Sequence, residues 1–250
     1  MCFGPDSAPP IPPLRGAAVS HGDLVLEAAD GNRFAAFLAT PEQPPATGVV
    51  VLPDVRGLHR FYEELCLRFA ERGYAALALD YFGRTAGASK RDEGFEYLPH
   101  VQALVPAELQ ADVRACVERL RAEGCRGIFT VGFCLGGRHS WLAAAAGHGL
   151  AGAIGFYGRP GTGSDGSPGP LQRAAELRCP ILALQAGDDP GIPVEDSRAF
   201  DEALSAAGVE HELVVYPGAP HSFFDRKQEQ FAAESEDAWS RVLAFLERHS

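Results

Sequence analysis

Apolar positions along this chain come in short runs whose character changes once, after about residue 40. Near the amino end, two apolar segments, Asp23–Ala28 and Arg33–Ala39, flank the turn sequence Asp30-Gly31-Asn32. Asp, Gly and Asn each favour tight backbone turns, so this stretch predicts a β-hairpin. Further on, continuous apolar runs at Gly48–Leu52, Ala75–Leu79, Gly127–Gly132, Ala151–Tyr157, Ile181–Ala186 and Glu210–Tyr216 alternate with stretches of helical period. The helices are expected at about Tyr62–Arg72, Ala107–Glu123, Gly136–Ala146, Val194–Ala207 and Glu234–Arg248. Strands that are apolar on both faces and alternate with helices predict an α/β fold, a mostly parallel central sheet with helices on both faces.

Residues 8–13 are rich in proline, and residues 1–20 read as a mobile leader ahead of a single domain over 21–250. Two connections match neither period: Gly83–Pro106, and the Gly-, Ser- and Pro-rich Gly158–Cys179. Long connections at the carboxyl ends of parallel strands are where open α/β sheets form their ligand crevices, so both are expected to be walls of a site.

Charge and composition narrow the function classes. The 250 residues carry 22 Lys and Arg against 33 Asp and Glu, a net charge of −11, with the basic residues scattered rather than gathered in a stripe. That distribution argues against nucleic acid as a partner. No apolar run is long enough for a membrane span, and the first residues lack the basic and apolar regions of a secretory signal, so a soluble, cytoplasmic protein is expected. Six cysteines without paired Cys-x-x-Cys spacing argue against a zinc site or a disulfide framework. No metal or other cofactor is expected, and nothing in the pattern speaks to oligomeric state.

One cysteine stands apart from the rest. Gly132-Phe133-Cys134-Leu135-Gly136-Gly137 directly follows an apolar run and directly precedes an alanine-rich helix. A Gly-x-nucleophile-x-Gly turn needs its glycines because the strand bends sharply into the helix beside the nucleophile. A thiol raised there also meets the positive end of the helix dipole, which favours thiolate. It still needs a base. In α/β-hydrolases the nucleophile is followed in chain order by an acid and then a histidine, each after a strand. Here Asp188 and Asp189 follow Ile181–Ala186, and His221 follows Glu210–Tyr216. Order alone leaves the two adjacent carboxylates open, and His221 is the one of eight histidines in the required place.

These residues resemble the dienelactone hydrolases (carboxymethylenebutenolidases), α/β-hydrolases with a Cys-Asp-His triad. Gly132–Gly137, Asp189-Pro190-Gly191-Ile192-Pro193 and Pro220-His221-Ser222-Phe223 carry the resemblance, which extends over nearly the whole chain. It implies Cys134, Asp189 and His221 as catalytic residues, the Asp-Pro-x-apolar-Pro pattern selecting Asp189. It implies Asp54, where the family usually has glutamate, as the carboxylate that activates the thiol. The backbone N–H groups of Leu135 and Val55 would form the oxyanion hole. Arg84 and Arg226 would bind a substrate carboxylate, although the position of the family's second arginine holds Asp225. The function implied is opening of a lactone or cleavage of a small ester through an acyl-cysteine. A second expectation, from another class, is an idle hydrolase-fold protein that only binds a small molecule.

Overall fold

A computed structural model describes residues 3–4, 6–92 and 94–250. One eight-stranded sheet organises them, in the order β1-β2-β4-β3-β5-β6-β7-β8. β1 (Val19–Glu27) and β2 (Arg33–Pro41) are the hairpin expected around Asp30-Gly31-Asn32, and β2 also pairs antiparallel with β4 (Ala75–Leu79). Every other pairing is parallel. β3 (Thr47–Leu52) lies between β4 and β5 (Gly127–Phe133), and β6 (Gly152–Phe156), β7 (Ile181–Asp188) and β8 (His211–Pro220) continue outward. All residues of β3, β4 and β6 are buried, as helices on both faces require.

The covering helices are α1 (Arg60–Ala70), α4 (Pro106–Ala122), α5 (Leu135–Ala143), α6 (Val194–Ala207) and α7 (Ala232–His249). Two short helices, α2 (Gly83–Ala86) and α3 (Tyr97–Gln102), break up the first long connection, which the apolar pattern left as irregular chain. Three buried clusters fill the spaces between the layers. One joins α1 and α7 to one face of the sheet, a second packs α4 on the other face, and a third packs α6 beneath β6 and β7.

The segment expected to be a mobile leader is instead laid against this body over much of its described length. Phe3, Ser7, Ala8 and Ile11 are buried, Asp6 is exposed, and the chain is continuously exposed from Pro12 to Gly16. Among the described residues, no helix is long and apolar enough to cross a membrane.

Candidate active site

β5, β6, β7 and β8 are successive parallel strands, so the loops leaving their carboxyl ends open onto one side of the sheet. At the end of β5 the chain turns into α5 through Cys134, which has φ 56° and ψ −114°. A β-carbon on Gly132 would lie 2.0 Å from the Gly136 carbonyl oxygen, and one on Gly136 would lie 2.1 Å from that of Leu52. No side chain fits at either position, which is why the elbow is written with glycine. The Cys134 N–H donates to the Phe156 carbonyl at 3.0 Å, tying the elbow to the neighbouring strand.

Three described non-glycine residues have positive φ: Cys134, Tyr157 at 36° and Ser222 at 63°. Tyr157 leaves β6 with its ring 5.0 Å from that of His221, and Ser222 follows His221. Backbone strain in this protein is therefore concentrated around one spot, as functional sites often show.

The register of the last two strands sets Asp189 beside His221. After a bulge, Asp188 pairs with Pro220, so the next residues of each strand, Asp189 and His221, leave the sheet together. His221 Nδ1 lies 2.5 Å from Asp189 Oδ2. Burial opposes ionisation of Asp189, but the hydrogen bond and charge of His221, with the N–H groups of Gly191 and Ile192, outweigh it and hold the carboxyl below its ordinary value. Asp188 is exposed on the strand end.

Cys134, Asp189 and His221 line one cavity of about 460 Å³, together with Val55 and Leu135. Both long connections wall it, α3 and the residues after it through Val101, Gln102 and Leu104, and the later one through Arg159 and Gly163–Ser167. Asp54, just before Val55, is 1% exposed and accepts hydrogen bonds from the N–H groups of Arg56 at 2.8 Å and Phe3 at 3.3 Å. Its own N–H donates to the Tyr62 hydroxyl at 2.8 Å. The other described cysteines, Cys66, Cys116, Cys125 and Cys179, are buried, and burial pushes their thiols up, Cys125 to about 11 and Cys179 to about 12. Cys134 is only half-buried.

The two arginines expected to bind a carboxylate lie elsewhere. Arg84 is enclosed by Asp30, Glu108 at 3.3 Å and Asp112 at 2.6 Å, an ion cluster between the β1–β2 turn and α4. Its charge is satisfied within the fold. Arg226 lines a separate cavity against Pro9–Pro13, and its N–H donates to the Ala8 carbonyl. Asp225, at the family's arginine position, accepts from the Ala8 N–H at 3.3 Å.

The cavity has other cations, which the sequence reading missed. Arg138, one turn along α5 from Cys134, is 7% exposed and donates to the carbonyl oxygens of Arg159, Gly161 and Ser167. Among the described residues no carboxylate lies within ion-pairing distance of it. Burial lowers its pKa, Asp165 raises it and Arg159 lowers it further. Arg159 itself is exposed and reaches the Gly191 carbonyl at 2.8 Å. The available signal was an arginine one turn after Cys134, ahead of a glycine-rich loop with carbonyls to offer. Among the described residues, no cluster of His, Cys, Asp or Glu could hold a metal ion.

Comparison with known proteins places this geometry in a family. The sequence profile of the Dienelactone hydrolase family matches residues 34–250. A protein of Escherichia coli (strain K12) named "Putative carboxymethylenebutenolidase" is 32% identical, over 97% of this chain and 94% of its own length. One of the same name from Methylorubrum extorquens is 33% identical, over 91% of this chain and 81% of its own. The crystal structure of a "Putative Dienelactone Hydrolase" from Klebsiella pneumoniae subsp. pneumoniae MGH 78578 superposes with a TM-score of 0.79 at 28% identity, covering 92% of this chain and 98% of that one. The chain has the α/β-hydrolase fold and belongs to the dienelactone hydrolase family of hydrolases.

Proposed function

We propose that the protein opens a lactone, or cleaves a small ester, through an acyl-cysteine formed on Cys134. The observation that carries this reading is the thiol on a strained elbow facing the same cavity as His221, whose other ring nitrogen is held by Asp189 at 2.5 Å. His221 takes the thiol proton as sulfur attacks the acyl carbon. The carbon–oxygen bond of the lactone or ester then breaks, and His221 returns the proton to the leaving oxygen. Water attacks the thioester, again giving up a proton to His221, the carbon–sulfur bond breaks, and sulfur recovers its proton. From a lactone, the acid and the alcohol leave as one molecule. Asp189 fixes the imidazole tautomer and stabilises the imidazolium between these transfers.

The oxyanion that forms on each attack is assigned to the backbone N–H groups of Leu135 and Val55, both at the cavity wall beside the thiol. Asp54, buried one residue from Val55, is assigned the activation of the thiol. An anionic substituent on the acyl group would meet Arg159 and the field of Arg138, because Arg84 and Arg226 do not line this cavity.

The test is Cys134→Ala assayed on 4-nitrophenyl acetate and on a dienelactone. Turnover of both falls by on the order of 10⁴-fold or more if sulfur is the nucleophile. Retained turnover with an unchanged fold overturns the reading. Mass spectrometry of the wild type quenched during turnover should find the acyl group on Cys134 alone.

A further inference from the structure

Phe3, Gly4 and Asp6–Ala8 bridge two loops of the site. At one end the Phe3 ring is 2% exposed, stacked on Phe61 at 3.9 Å and edge-on to Tyr62, Phe133 and Tyr157 at 6.1–6.4 Å. Phe133 precedes the nucleophile, and the ring of Tyr157 lies against His221, so Phe3 belongs to the aromatic cluster packed behind the site. Its N–H donates to Asp54 Oδ2 at 3.3 Å, and its carbonyl accepts from Arg56 Nη1 at 2.8 Å. The Gly4 N–H donates to Ser7 Oγ at 2.8 Å and the Ser7 N–H to the Gly4 carbonyl at 3.1 Å, closing a turn. At the other end Ala8 is clasped on both sides: its N–H donates to Asp225 at 3.3 Å, and its carbonyl accepts from the Arg226 N–H at 3.1 Å. Asp6 pairs with Lys227 in the same loop.

We propose that this segment is a positioning strap, with Phe3 as the positioning residue that holds the Asp54 carboxylate in its working orientation. The inference rests on the reading of Asp54 as the thiol-activating group and of Cys134 as the nucleophile. Asp54 has one methylene fewer than the glutamate usual in the family, and so less reach and less freedom to find its place. A donor from outside its own loop, anchored by a buried aromatic ring, fixes the second carboxylate oxygen while Arg56 fixes the first. Neither strap residue touches substrate. The strap acts through the rate of acylation, because a displaced Asp54 carboxylate loses its alignment with the thiol that His221 deprotonates.

The experiment is the series Phe3→Leu, Phe3→Val and Phe3→Ala in the full chain, each also made in an Asp54→Asn background. Ester turnover, scaled to the alkylatable Cys134 thiol, is read as kcat and KM. In the parent, kcat falls progressively to about a tenth at Phe3→Ala, a fraction of the ~10²–10⁴ that a positioned base contributes. KM stays within about twofold, and Phe3→Leu keeps kcat within about threefold. In the Asp54→Asn background the series has no effect, because the group it positions is gone. Equal losses in both backgrounds, or no loss in the parent, overturn the strap. Should Phe3→Ala fail to fold, the Leu and Val variants make the same comparison. Turnover retained by Cys134→Ala overturns the underlying reading instead, and the two failures are thereby told apart.

Discussion

Two charged clusters in this protein use the same side-chain types to opposite ends. At the hairpin edge of the sheet, Arg84 is surrounded by Asp30, Glu108 and Asp112, and Asp112 also accepts from Asn32 at 2.9 Å. At the carboxyl edge, Asp189 pairs with His221, and the buried guanidinium of Arg138 is satisfied by three carbonyl oxygens rather than by a carboxylate. Carbonyl dipoles solvate a charge without cancelling it, so the charge of Arg84 is neutralised by carboxylates and that of Arg138 is kept beside a cavity. Position in sequence does not distinguish a structural arginine from a functional one. What the fold brings to it does.

The contrast is sharpened most by exchanging one acid in each cluster. Asp189→Asn is expected to lower kcat by about 10³–10⁴-fold, by analogy with loss of the orienting acid in other triads, with little change in melting temperature. Asp112→Asn should do the reverse, leaving turnover within about twofold and costing about 1–3 kcal/mol in denaturant unfolding. Activity lost at Asp112 and kept at Asp189 would reverse the assignment of the two clusters.

The arginines make the next comparison. Arg138→Met removes the donor that gathers the later wall of the cavity and should reduce kcat/KM about 10–100-fold, the loss being greater for an ester with a carboxylate on its acyl group than for a neutral one. Arg84→Met should show no such preference between the two esters. Equal sensitivity of both esters to Arg138→Met would confine that side chain to holding the loop.

The smallest expected effect is on stability against acid. His139 and His148 are pushed down to about 4, by burial first and then by neighbouring arginines. Above the ordinary value of 6.5 both are neutral in the folded and unfolded chain. As pH falls below that value the unfolded chain takes up protons that the folded one refuses until about 4, so stability is lost across this window. The melting temperature should drop by about 2–4 °C for each kcal/mol lost between pH 7 and pH 5. His148→Asn should flatten that slope, and thermal melts across the range will test it.

The parts of the fold and site set by local constraints could be read directly from the chain. The elbow is legible because a turn with no room for a β-carbon can be written only with glycine, and the meeting of Asp189 with His221 is legible because each follows an apolar strand. Arg84 and Arg226 were misplaced by the same reading, because their partners come from distant segments, Asp30 and Asp112 in one case and Ala8 in the other. The leader was expected to be mobile because prolines mark linkers. Prolines also limit the freedom of the unfolded chain, which lowers the entropic cost of laying such a segment down wherever Phe3 and Ile11 find a hole to fill. That hole exists only once α1, β5 and β6 have come together.

Arg138 also makes the later wall separable from the fold that carries it. The chain between the Arg159 and Ser167 carbonyls is gathered by this side chain, and its tip is closed on itself, with the Gly163 N–H donating to the Ser167 carbonyl at 2.8 Å and the Gly166 N–H to that of Gly163 at 3.0 Å. Residues 162–166 thus form a cassette with fixed ends, open to exchange by insertion or randomisation while the sheet, the elbow and the acid–base pair stay as they are. Diversification by natural drift or in a laboratory library would be tolerated there first, and would change which acyl groups the cavity admits.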